Sequence, residues 1–421
     1  MNAPPPGSRV AIVGTGISGL VCAHLLHRDY ALTLFEAGAY VGGHTHTIPV
    51  EREGRVFPVD TGFIVYNEHN YPNFVRLLTE LGVATQPTTM SFSVRCAGTG
   101  LEYNGTSLNQ LFAQRRTLLR PSFYRMVGGI LRFHREAGEL LEGGDDTLTL
   151  GEYLERNRYP RSFIEHHIIP MGAAIWSGTP EDIRAFPARY FARFFANHGF
   201  LQVKNRPAWR VVQGGSSQYV HALTRPFAEC IRLNTPVQRL SRTPAGVRLE
   251  LGGGQVEDFD AVILAAHSDQ AIGMLADASP AERQILGAIG YQANETVLHT
   301  DTSLLPTRRR AWASWNYYLP TRQHAGPTLT YNMNLLQSLK SASTFCVSLN
   351  QREAIAPASR IAEMTYHHPR YTVAAVQAQG RRGEINGVSR TYYCGAYWGF
   401  GFHEDGVRSG LEVARLFGKG W

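Results

Sequence analysis

Arg9-Val10-Ala11-Ile12-Val13-Gly14-Thr15-Gly16-Ile17-Ser18-Gly19-Leu20, followed by Ala31-Leu32-Thr33-Leu34-Phe35-Glu36, decides the fold. Arg9 to Val13 is a short apolar run suited to a buried parallel strand. It enters three glycines spaced GxGxxG, and Leu20, Ala23, Leu25 and Leu26 then continue at helical spacing towards Arg28. A second apolar run ends on Glu36. Strand, glycines, helix, strand and acid in this order predict a dinucleotide cradle. Gly14 permits the tight turn, Gly16 lets the backbone approach a pyrophosphate, and Gly19 lets helix and strand pack closely. The N–H groups and positive dipole at Ile17 and Ser18 then face the phosphates. Glu36, 22 residues after Gly14, is placed to bond ribose hydroxyls.

Reading outward, Ala37 leads to a second glycine pair, Gly42-Gly43, and to His44 and Thr45; Asp60-Thr61-Gly62-Phe63 forms a further turn. A plain nicotinamide site needs no second close-approach loop so soon after the ribose acid. A longer ligand does, one whose diphosphate and ribityl chain run over both loops. The expectation is FAD.

With these residues in view the chain resembles the flavin amine oxidase and phytoene desaturase superfamily, where Glu-Ala-x(3)-Gly-Gly, a basic residue and Thr form the extended FAD fingerprint. Val211-Val212-Gln213-Gly214-Gly215 resembles its mid-chain glycine element. Ile231 to Val237 resembles the strand and turn whose valine, here Val237, contacts the adenine, and Asp260 to Ala265 the strand closing the FAD domain. Near the end, Tyr393-Cys394-Gly395-Ala396-Tyr397 reads as a buried strand, and His403-Glu404-Asp405-Gly406-Val407 opens the last helix. The resemblance implies that this helix aims its N-terminus at the isoalloxazine.

A narrower likeness is carried by Tyr291-Gln292-Ala293-Asn294-Glu295, Val297 to Asp301, Ala311 to Tyr317 and Tyr397 to Gly406. These resemble a bacterial flavoprotein group accompanying cyclopropane-fatty-acid-synthase-type methyltransferases. That likeness implies a long-chain acyl lipid substrate, carried by a phospholipid, and a lipid methyltransferase as functional partner. Two departures separate the chain from amine oxidases. Their lysine near flavin N5 falls roughly at His299, and 366–393 contains no cysteine to tether flavin. The expectation is non-covalent FAD.

At 421 residues the chain is long enough for two or three folding units. The expected fold class is α/β: a Rossmann-like FAD-binding domain of the amine-oxidase-like GR2 type, with an inserted mixed α+β substrate domain. The FAD domain is assigned to residues 1–70, 205–291 and 383–421, and the substrate domain to 71–204 and 292–382. The first insertion reads largely helical. Within it Ser122 to Arg135 is amphipathic and preceded by Arg115, Arg116 and Arg120, which reads either as a solvated basic face or as a surface for anionic membrane. The aromatic runs Ala188 to Phe195 and Trp312 to Tyr318 read either as core or as an acyl tunnel wall.

The net charge is +7, but no helix-turn-helix, finger or RNA-binding signature is present, which argues against nucleic acid. The five cysteines (Cys22, Cys96, Cys230, Cys346, Cys394) are scattered and read as reduced thiols of a cytoplasmic protein, peripheral at most to the inner membrane face. The N-terminus lacks signal-peptide features, and no apolar run approaches the ~18–20 residues that span a bilayer. The pairs His44/His46, His166/His167 and His367/His368 lack a third ligand at helical spacing, so no metal is expected. GxSxG and HExxH are absent, which leaves hydrolases unsupported.

The functional expectation is a flavin oxidoreductase that takes hydride from an allylic carbon of an acyl chain, giving a diene or a shifted double bond. Tyr397 and Trp398 are the candidate catalytic aromatics, with His299 near the reacting centre. The rivals are an amine oxidase and a flavin-binding accessory subunit of a lipid methyltransferase.

Overall fold

A computed structural model describes residues 3–143, 145–202, 207–321 and 326–421. The expected division at 204/205 therefore lies outside the described residues. Arg9–Val13, Ala31–Phe35, Ile231–Arg232, Ala261–Leu264 and Thr391–Tyr393 form one fully parallel sheet, with Arg9–Val13 at its centre. In space the order is third, second, first, fourth and fifth by chain position, the doubly wound arrangement with its switch point beside the first strand. Val10, Ala11, Ile12, Val262, Ile263 and Leu264 are fully buried, as a strand covered on both faces requires.

The helix Ile17–Leu26 follows the first strand and packs against the last helix, His403–Leu416. Small residues make that contact close. A Cβ on Gly410 would lie 2.6 Å from the Ser18 carbonyl oxygen, and one on Gly406 would lie 2.6 Å from Ile17 Cγ2. An antiparallel meander, Val237–Arg242, Val247–Leu251 and Val256–Phe259, flanks the parallel sheet.

A second, seven-stranded sheet is built from both insertions. Its order is Arg360–Pro369, Tyr291–His299, Cys346–Leu349, Leu329–Asn332, Trp315–Leu319, Phe92–Cys96 and Leu101–Asn104. Trp315–Leu319 and Phe92–Cys96 run parallel, so residues more than 200 apart in sequence share one ladder. The first insertion thus supplies strands as well as the helices Pro121–Glu142, Ile169–Trp176 and Ala188–Asn197. Tyr291 opens a strand of this sheet rather than closing the FAD segment. Among the described residues no helix is long and apolar enough to cross a membrane.

Candidate active site

One cavity of about 960 Å³ runs from the C-terminal ends of Arg9–Val13 and Ala31–Phe35 to the seven-stranded sheet. Gly14, Gly16, Ile17, Ser18, Glu36, Ala37, Gly42, Gly43, His44, Gly62, Val237, Gly395 and His403 all line it.

Local geometry explains the glycines. Gly14 has φ +104°, and a Cβ there would sit 2.8 Å from the Ala265 carbonyl oxygen. A Cβ on Gly19 would lie 2.2 Å from the Gly14 carbonyl oxygen, so Gly19 serves the turn from behind. Gly16 differs from both. Its backbone is ordinary (φ −65°, ψ 171°) and nothing lies within 4 Å of a built Cβ. Gly42, at φ +128°, donates its N–H to the Thr15 carbonyl at 3.1 Å and ties the second loop to the first. The Glu36 carboxylate accepts from Thr15 N (3.0 Å), Thr15 Oγ1 (2.5 Å) and Gly38 N (2.8 Å), which aims it along the cavity edge.

At the other end the last helix begins at His403. Its ring stacks on Phe63 with centroids 3.6 Å apart, and Nε2 meets the Tyr219 hydroxyl at 2.6 Å. Thr45 Oγ1 shares that hydroxyl at 2.5 Å, so Thr45 braces His403 from behind the wall. Burial pushes the His403 pKa down to about 3, with His44 adding to the shift. His44, His267 and His368 gather on one wall; their centroids lie 6.1 Å (His44–His267) and 5.4 Å (His44–His368) apart. Burial lowers them to about 4, 4 and 3, which keeps the wall neutral at pH 7. Among the described residues no group of three metal-binding side chains comes together.

Several expected site residues stand behind the cavity rather than in it. Thr61 Oγ1 meets the Tyr366 hydroxyl at 2.7 Å. The Glu404 carboxylate accepts from Asn73 N, Asn73 Nδ2 and Phe74 N, so it anchors the helix Pro72–Glu80. Asp405 accepts from Phe402 N and pairs with Arg408. Gly406 packs on Ile17, and Val407 is fully buried. Tyr397 lines the cavity, whereas Trp398 lies behind it, ring centroids 4.8 Å apart.

His299 requires a correction. It is fully buried in the seven-stranded sheet, with Nε2 2.8 Å from Ser348 Oγ and Nδ1 accepting from Asp301 N. It does not line the cavity. Tyr291, eight residues earlier on the same strand, does; at ~3.3 Å per residue the two are separated by roughly 26 Å.

The far arm is aromatic. Ile175, Trp176, Phe194, Phe200, Trp315, Tyr331, Phe400 and Phe402 line it. Phe194 and Phe402 stack at 5.0 Å, and Trp176 lies 4.7 Å from Phe194. Only Phe194 of its helix faces the cavity, while Phe191 and Phe195 pack in the core. Trp315 likewise lines the arm, whereas Trp312 donates Nε1–H to the Pro306 carbonyl. Among the described lining residues Glu36 is the sole carboxylate, and neither lysine nor arginine appears. His267, Tyr366, His368 and Tyr371 are lining residues that the motifs did not mark.

The site fits FAD on its own geometry. Gly16 leaves a cradle that any side chain would fill, the Glu36 carboxylate stands at the cavity edge beside it, and His44 Nε2 and the Tyr371 hydroxyl are buried without a protein partner.

Comparison with known proteins agrees. The family model described as flavin containing amine oxidoreductase matches residues 17–319. The candidate flavin-containing monoamine oxidase AofH of Mycobacterium tuberculosis is 32% identical over 270 residues, 60% of this chain and 56% of that protein. The chain therefore spans about half the length of that relative. Among solved structures, putrescine oxidase bound to putrescine superimposes with a TM-score of 0.68 at 15% identity, covering 98% of this chain and 99% of that one. A CLA-producing fatty acid isomerase from P. acnes superimposes with a TM-score of 0.69 at 16% identity, covering 97% and 99%.

Proposed function

Since this chain belongs to the flavin-containing amine oxidoreductases and uses FAD, we propose that it oxidises or isomerises a long unsaturated acyl chain, with the flavin held non-covalently. The fold itself is neutral on substrate, because proteins that share it include both a putrescine oxidase and a fatty acid isomerase. The observation that carries the proposal is the aromatic arm: the one carboxylate among the cavity's described lining residues is Glu36, which stands at the opposite end beside Thr15. An alkylammonium would lose its hydration there without gaining a counter-charge. An acyl chain has no such penalty, and each buried CH₂ contributes about 0.8 kcal/mol.

Bound FAD supplies a two-electron acceptor able to take hydride from carbon. The protein does the rest. Gly14 to Ser18, Glu36, Gly42 and Gly43 hold the dinucleotide, and Val237 lies at the adenine end. The start of the last helix presents its positive end to the cavity. No cysteine lines the described cavity, and Cys394 packs 3.9 Å from Cys22 in the core, which supports non-covalent binding. The carbon beside a double bond is the best hydride donor of an acyl chain. Tyr397, Phe400 and Phe402 line the cavity, and a ring face turned to that carbon's developing positive charge would stabilise it by roughly 1–2 kcal/mol when water is excluded. With the hydride held by bound FAD, loss of a proton from the neighbouring carbon to water would leave a diene, and return of that hydride at the far end of the allyl unit would leave a shifted double bond.

The test is anaerobic absorbance of the bound flavin. Oleoyl and linoleoyl lipids are expected to bleach it, transiently if isomerisation dominates, with new double-bond positions in the recovered lipid. Primary amines and putrescine are expected to leave it yellow. The identity with AofH favours amine oxidation as the second reading. Bleaching by an amine, with peroxide on admitting air, would establish that reading and end the lipid one. Unchanged flavin with every substrate would point instead to an accessory role beside a lipid methyltransferase.

Glu36→Ala is expected to weaken FAD binding by about 1–3 kcal/mol or more, the size of a lost charge-assisted hydrogen bond together with the loosened contacts to Thr15 and Gly38. Fluorescence titration of the apoprotein measures this. An unchanged Kd would remove Glu36 from the ribose and leave it with only the loop contacts to Thr15 and Gly38.

A further inference from the structure

Among the described residues eleven large apolar side chains are exposed, and five fall between residues 108 and 131: Leu108 (75%), Leu118 (46%), Leu119 (88%), Tyr124 (49%) and Leu131 (56%). A local contact joins two of them, and Leu119 adjoins the pair in sequence. The Tyr124 hydroxyl donates to the Leu118 carbonyl at 2.9 Å, and the Phe112 and Tyr124 rings lie 6.3 Å apart. Tyr124 and Leu131 are two turns apart on one stripe of Pro121–Glu142, with exposed Gly128 between them. The opposite stripe, Phe123, Met126, Gly129 and Phe133, is buried, and a Cβ on Gly129 would meet Phe163 at 2.6 Å. The helix is therefore fixed by its inner face, while Tyr124 and Leu131 on its outer face stay exposed.

Charge completes the picture. Residues 103–135 contain six arginines and no aspartate or glutamate. Arg115 donates to the Phe112 carbonyl and the Asn109 amide oxygen, Arg116 to the Gly100 carbonyl and Arg120 to the Thr99 carbonyl. None of these three, nor Arg125, makes an ion pair among the described residues. Glu136, the next acid along, is already engaged by Arg132, Arg135 and Tyr159.

We propose that this surface docks the protein on an anionic lipid bilayer, with Leu118 and Leu119 entering the acyl boundary and Arg115, Arg116, Arg120 and Arg125 meeting headgroup phosphates. Single-sign charge around protruding leucines matches a phosphate-covered apolar layer on both counts. The proposal is independent of the substrate of the cavity, because it rests on residues outside that lining.

The test uses FAD-loaded full-length protein co-sedimented with phosphatidylglycerol/phosphatidylcholine vesicles and with phosphatidylcholine alone. Wild type is expected to pellet with the anionic vesicles and to be released as salt rises. L118S/L119S and the triple variant R115Q/R116Q/R120Q are each expected to bind at least about tenfold more weakly, with unchanged flavin absorbance showing an intact fold. No binding by wild type, or equal binding by all three proteins, would overturn the proposal. Self-association of wild type that L118S/L119S abolishes, without vesicle binding, would also overturn it and assign the patch to a protein contact.

Discussion

Gly16→Val is expected to yield a protein that folds and does not hold FAD. Glycines in such a turn usually serve either backbone conformation or packing, and Gly16 needs neither. Its φ and ψ are ones that valine adopts, and no atom lies within 4 Å of the added Cβ. What the side chain would occupy is the cavity itself, where the cofactor backbone must approach. A methyl-sized intrusion into a close contact costs roughly 2 kcal/mol or more, about thirtyfold in Kd. Gly19→Val is the counter-experiment. Its Cβ would lie 2.2 Å from the Gly14 carbonyl oxygen, so that variant should lose the fold together with the flavin. Circular dichroism and FAD titration on both variants separate the two roles. Gly16→Val protein that binds FAD with wild-type affinity would mean the dinucleotide does not cross this turn.

Acidification below about pH 6.5 is expected to destabilise the protein steeply. His198, His299 and His403 are buried, and burial lowers them to about 4, 4 and 3. In the unfolded chain they titrate near 6.5, so between pH 6.5 and 4 the unfolded state binds protons that the fold refuses. Each such histidine costs about 1.4 kcal/mol per pH unit. Asp60 and Asp405 work the other way, since burial raises both to about 6 and the folded state takes up their protons first. They offset two of the three. His44, His267 and His368 share the downward shift, so the unfolded state still binds more protons than the fold and stability is lost as pH falls from 6.5 towards 4. Urea midpoints at pH 7, 6 and 5 measure the slope. A flat profile would show that these histidines are hydrated rather than buried.

The dinucleotide turn was legible because its constraints are local. Gly14, Gly19 and Glu36 act within 22 residues of one another, and strand, turn and helix must follow in that order. The five-stranded parallel sheet could be anticipated from the same logic. The substrate side was less legible. Alternation along Tyr291–His299 says which residues share a face but not where along the strand the cavity stops, and His299 lies well beyond it. The first insertion's strand Phe92–Cys96 pairs with Trp315–Leu319 across more than 200 residues, a partnership no local pattern carries. His367 and His368 attracted notice only as a metal pair, yet they line the cavity because Arg360–Pro369 is the strand that borders it. Glu404 and Asp405 look like ligand contacts in sequence; in the fold one anchors a neighbouring helix and the other caps its own.

The central strand Arg9–Val13 and its helix also bear on how the protein is made. They meet their final neighbours, Thr391–Tyr393 by way of Ala261–Leu264 and the helix His403–Leu416, only after nearly 400 further residues. At roughly 5–20 residues per second, the nascent cradle waits tens of seconds on the ribosome with one wall missing. During that interval flavin has no completed pocket to bind and adds no mass-action stability. Chaperones meeting the emerging chain would therefore handle an apo intermediate, and cellular FAD would act as a selector of finished molecules. Chains that terminate before Gly395 should be cleared by proteases however much flavin is supplied.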